Sequence, residues 1–96
     1  MTMKLPHKVK IGGHWFKISF LSEKDGGFDT SGRKMGWQGK IFIQERMTES
    51  KKQSVLLHEI IHEISWQNNL ELTESQVSTL SEGFYQIITD NPGMWK

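Results

Sequence analysis

The sequence predicts an α+β domain: a small three- to four-stranded antiparallel sheet packed on a C-terminal antiparallel helix pair. Three observations predict it. Short segments that alternate apolar and polar residues, separated by Gly-rich turns, fill positions 8–44. No Pro or Gly interrupts positions 47–82, and apolar residues recur there at helical spacing. The chain is 96 residues long, enough for one small core and a single domain spanning 1–96.

Taken in order, residues 1–7 read as a tail ended by Pro6. Val9-Lys10-Ile11 and His14 to Phe20 each alternate, with Phe16, Ile18 and Phe20 on one face, and Gly12-Gly13 between them is a two-residue hairpin turn. The segments predict strands over 8–11 and 14–21. Positions 22–34 are polar and Gly-rich and predict a loop in which Asp25 and Asp29 form turns. Met35 to Gly39 predicts a short strand and a turn, and Lys40-Ile41-Phe42-Ile43-Gln44 a strand with a β-branched, apolar centre. A helix follows over 48–67, capped by Thr48 or Ser50 and closed by Asn68-Asn69, which tolerates left-handed backbone. Thr73-Glu74-Ser75-Gln76 matches a capping box and opens a second helix over 73–90, stopped by Asn91-Pro92-Gly93. Its apolar stripe of Val77, Leu80, Phe84, Ile87 and Ile88 is expected to be core, with Gly83 allowing close approach of the two helices.

Composition narrows the function. Twelve basic and eleven acidic residues give a net charge of +1, so no global field favours nucleic acid or an anionic membrane. There is no cysteine, which excludes disulfides and thiolate metal sites. No stretch has the length of a membrane span or the apolar core of a signal peptide, and the expected location is cytoplasmic. The four Trp suit either core filling or an aromatic contact surface.

The chemistry lies in His58-Glu59-Ile60-Ile61-His62, within the apolar run from Val55 to Ile64. On a helix, positions four apart share a face, so His58 and His62 direct two imidazoles at one point. Zn²⁺ accepts nitrogen ligands in that arrangement. Glu59 is turned about 100° from His58 and flanks the metal, where a carboxylate takes the proton of a metal-bound water. Glu63 is a candidate to orient an imidazole ligand, but reads first as a solvated surface residue. Tyr85 is a candidate for the cleft, or for packing between helices. His7 and His14 lie on the tail and beside the hairpin turn and make poor ligands.

The order of elements, Leu57 to His62, the opening Leu72-Thr73-Glu74 and the close Gln86-Ile87-Ile88-Thr89-Asp90-Asn91-Pro92 resemble small phage- and prophage-encoded HExxH proteins related to the ImmA/IrrE metallopeptidases, in the gluzincin group. The likeness runs from Ile11-Gly12-Gly13 onward. It implies a zinc-dependent peptidase site with two His and one acidic ligand. It also implies that the strand before the metal helix, Lys40 to Gln44, pairs with extended peptide substrate. Full-size members carry more chain after the metal helix, so recognition here is expected to be weak or supplied by a partner. The alternative to an enzyme is a metal-bearing, non-catalytic phage accessory or inhibitory protein that binds a host protein through the same groove.

Two residues compete as third ligand. Glu82 follows His62 by 20 positions, a spacing like that of thermolysin-type gluzincins, and Glu74 follows by 12. At about 100° per residue, Glu82 points away from the apolar stripe and Glu74 lies at its edge. The short link 68–72 makes the helices antiparallel neighbours, which sets Glu74 near His62. A carboxylate in a first helical turn also complements the helix dipole, an alternative role for Glu74. The expected set is therefore His58, His62 and Glu74 on Zn²⁺, with Glu59 as general base.

Overall fold

A computed structural model of the chain describes residues 5–22, 32–35 and 39–95. The expected turn residues Asp25 and Asp29, and the turn at 36–38, lie outside them. Four strands and two helices follow one another: β1 (Lys8–Ile11), β2 (His14–Leu21), β3 (Gly32–Met35), β4 (Lys40–Gln44), α1 (Glu49–Gln67) and α2 (Glu74–Asp90). The protein is α+β. β3 precedes the strand expected near Met35 to Gly39 and takes in part of the expected loop. At Gly12 and Gly13 φ is +57° and +86°, a pair of left-handed residues whose twist matches that of the β1–β2 hairpin they join.

The sheet is mixed, which corrects the antiparallel expectation. Its order is β1-β2-β4-β3. β1 with β2 and β3 with β4 are antiparallel, while β2 and β4 run parallel, with Lys17 opposite Lys40 and Leu21 opposite Gln44. The chain leaves β2, forms β3 beyond it and returns through β4 into the gap. β4 is therefore interior, and its apolar centre matches that place: Ile41 and Ile43 are fully buried.

α1 covers one face of the sheet. Phe16, Ile18, Ile41 and Ile43 pack with Val55 and Leu56 in one cluster, with Leu5, Val9, Met47 and Ile60 at its margin. Each such side chain contributes about 1.5–3 kcal/mol when taken from water. Thr48 is the N-cap of α1, its hydroxyl accepting from the Lys51 N–H at 3.3 Å.

α2 buries only part of the stripe expected of it, Val77 fully and Ile88 in part. Val77 and Ser81 are its buried residues, whereas Leu80, Phe84 and Ile87 are 41%, 51% and 47% exposed. Small side chains thus make the buried contact, and the larger apolar ones are left partly in solvent. Gly83 faces open space and permits no helix contact. Between the helices, the Tyr85 hydroxyl donates to Oε1 of buried Gln53 at 2.8 Å. Among the described residues Trp15, Trp66 and Trp95 are exposed, so none of these three fills the core. No helix of the described residues is long and apolar enough to cross a membrane.

Candidate metal centre

The loop between the helices sets the centre. At the end of α1 the Asn68 N–H reaches back to the carbonyls of Ile64 and Ser65, and Asn69 adopts φ +55°. Asparagine tolerates that left-handed conformation, which turns the chain. Ser65 and Leu70 then clasp each other. The Leu70 N–H donates to the Ser65 carbonyl and the Ser65 hydroxyl donates to the Leu70 carbonyl, both at 2.9 Å. Thr73 caps α2: its hydroxyl accepts from the Gln76 N–H at 3.1 Å, and the Gln76 amide oxygen accepts from the Thr73 N–H at 2.8 Å. With capping done by these neighbours, the Glu74 carboxylate is left to serve elsewhere.

It turns to the histidines. Glu74 Oε1 lies 2.6 Å from His58 Nε2, and Oε2 lies 3.0 Å from His62 Nε2. The two Nε2 atoms are 3.2 Å apart, with the rings edge to face. Two protons on Nε2 would serve the carboxylate contacts but would set like partial charges against each other across the nitrogen pair. A cation among the three groups removes that conflict. Ligands at 2.0–2.1 Å in a tetrahedron stand about 3.3–3.4 Å apart, close to the nitrogen separation. Among the described residues, His58, His62 and Glu74 form a group that could hold a metal ion, their ligand atoms all within 4.8 Å of one another, and a borderline cation such as zinc suits two imidazoles and a carboxylate.

The side chains of His58 and His62 are 22% and 30% exposed, that of Glu74 69%. The centre thus lies at a solvent-accessible rim between the helices. Glu82 is exposed on α2 and takes no part in the group. Glu59 is buried, on the helix stripe of Val55 and Leu56 that faces the sheet.

Comparison with protein-family models, with curated proteins and with solved structures gives no match.

Several residues stand elsewhere than expected. Glu63 is buried rather than solvated, and accepts from the Gln67 amide at 2.8 Å. Gln67 also donates to the Ile11 carbonyl, tying the end of α1 to the hairpin turn. The spacing of Glu63 and Gln67, four apart on a helix, was the available signal. Tyr85 is committed to Gln53 rather than to the centre. His14 is exposed at the start of β2, and His7 is exposed ahead of β1, its carbonyl accepting from the Ile18 N–H; neither is in the candidate ligand group. Trp66, one turn beyond His62, borders with His14 and Glu63 a recess of about 300 Å³. Finally, Lys40–Gln44 has both edges occupied, so an extended peptide has no open edge there; among the described residues β3 has a partner on one side only.

Proposed function

We propose that the protein is a zinc-dependent metallopeptidase of the ImmA/IrrE-like, gluzincin type. The observation that carries this is the meeting of the His58 and His62 Nε2 atoms with both Glu74 oxygens within hydrogen-bond distance. Zinc held there supplies Lewis-acid polarisation of a peptide carbonyl and a lowered pKa for water. His58 and His62 act as neutral nitrogen donors, and Glu74 adds the negative charge that favours a dication. Glu59, next to His58 and on the sheet side of α1, accepts the proton of the attacking water and passes it to the leaving amine. The rim position admits substrate, and the recess beside Trp66 is of a size to take a side chain. An extended peptide fits the outer edge of β3 by strand addition, in place of Lys40–Gln44.

A second reading has its own support. Leu80, Phe84 and Ile87 expose an apolar stripe that suits a metal-bearing, non-catalytic protein whose work is to bind a host protein. One experiment separates the two. Purified without added metal, the protein is expected to hold one zinc per chain and to cleave a peptide library; Glu59→Gln retains the metal and loses the cleavage. Retained cleavage in Glu59→Gln removes Glu59 as the base. Metal without cleavage in the parent favours the second reading, and absence of metal sinks both.

A further inference from the structure

The sheet face turned away from α1 carries groups that the metal centre does not use. Alternation along β2 buries Phe16 and Ile18 against α1 and so turns Trp15 and Lys17 outward. Register then builds a row. Lys8 stands opposite Lys17, and Lys17 opposite Lys40, three lysines on three neighbouring strands about 5 Å apart. Lys10 stands opposite Trp15. All four lysines are exposed, and Trp15 is 54% exposed. The ammonium groups of Lys8 and Lys10 lie 4.4 and 5.6 Å from the centroid of the Trp15 ring.

Such a row works against folding, because like charges directly opposite on paired strands repel. Among the described residues no carboxylate pairs with any of the four. The cost is explained if an anion on this face supplies the missing charge. The chain's net charge of +1 conceals a division that points the same way. Every Lys and Arg except Lys96 lies at or before Lys52, while Glu59, Glu63, Glu71, Glu74, Glu82 and Asp90 follow it. A polyanion is therefore drawn to the sheet and turned away from the second half of α1 and from α2.

We propose that this outer face, Trp15 set among Lys8, Lys10, Lys17 and Lys40, binds single-stranded nucleic acid. The lysines neutralise successive phosphates, and the exposed indole offers a stacking surface for an unpaired base, the combination that sequence-tolerant single-strand binding uses. Lysine contacts to phosphate carry no base information, so binding is expected to be largely independent of sequence. A duplex keeps its bases stacked on one another and leaves Trp15 without a partner. The site is separate from the metal centre on α1 and α2.

The test uses the full chain and a fluorescent single strand of roughly 12 nucleotides, within the site sizes known for such surfaces, followed by anisotropy. Four phosphate contacts predict a salt slope of about −3, hence about a 50-fold loss of affinity between 50 and 200 mM salt. Lys17→Gln with Lys40→Gln is expected to halve that slope. Trp15→Ala is expected to weaken binding about 5- to 150-fold at unchanged slope. These positions are exposed, and a thermal melt confirms that each variant is folded. His58→Ala, which removes a proposed metal ligand, leaves the affinity as it was. Absence of binding at low salt overturns the proposal, as does affinity that ignores the lysine changes. A duplex of equal length, or phosphatidylserine vesicles, bound as tightly and without regard to Trp15 also overturns it, since the face then reads only negative charge.

Discussion

At the scale of single residues, the third ligand is where geometry decides most. Glu74 and Glu82 are both exposed carboxylates on α2, eight residues apart, yet only Glu74 meets the histidines. Glu74→Gln is expected to weaken zinc binding at least tenfold, and Glu82→Gln to leave it within error, as read by competition with a chromogenic chelator. The reverse ranking moves the role to Glu82. That His58 and His62 share one face was legible in the sequence because helix geometry alone fixes their offset. Glu74 was legible through rotation and the short link before it. The burial of Glu63 was legible only in part: its spacing from Gln67 signalled the pair, but not that the β1–β2 hairpin would be tied over it.

At the scale of elements, the limits of β1, β2, α1 and α2, unlike those of β3, followed from local chemistry: Gly12-Gly13 with positive φ, Thr48 as N-cap, the Thr73–Gln76 box. Which face a helix buries did not. The stripe Val77-Leu80-Phe84-Ile87-Ile88 is amphipathic by period, but periodicity does not say what covers a face: Val77 is buried as expected and Ser81 beside it, while Leu80, Phe84 and Ile87 are exposed. Stability should follow the observed face. Val77→Ala is expected to cost about 2 kcal/mol, while Phe84→Ser changes stability by less than about 0.5 kcal/mol, both read by urea denaturation. A large loss from Phe84→Ser would mean that the stripe is covered. Thr73→Ala is expected to cost about 1 kcal/mol and to loosen zinc as well, because the cap fixes the turn from which Glu74 projects.

At the scale of the whole molecule, α2 is held chiefly by α1 rather than by the sheet. It buries two side chains of its own, and zinc would join it to α1 through Glu74. A ligand at a hundredfold its dissociation constant adds about 2.7 kcal/mol, which for a domain of this size raises Tm by about 10–20 °C. Differential scanning fluorimetry with and without zinc should show the rise in the parent and its absence in His58→Ala; an equal rise in both places the stabilising metal elsewhere. Two whole-molecule properties escaped the sequence for one reason: both depend on which strands become neighbours. The parallel pairing of β2 with β4 was one, although Lys8, Lys10, Arg33 and Lys34 on the outer strands and the uncharged Ile41-Phe42-Ile43 run were signs of edge and interior. The row of lysines was the other, since a near-zero total conceals how register sorts charges onto one face.

The interior place of β4 also bears on the order in which the chain acquires its structure. β1–β2 and β3–β4 are each local pairs, whereas their shared seam joins Lys17 to Lys40 and Leu21 to Gln44. Closing that longer loop costs entropy before the seam returns any contact. The two hairpins are thus expected to dock as units, with the seam as the folding nucleus and α2 arriving late. Ile41→Val should slow refolding nearly in proportion to its effect on stability, while Val77→Ala should act almost wholly by speeding unfolding. Stopped-flow measurements in urea distinguish the two, and slowed refolding in Val77→Ala would show instead that the helix pair forms first.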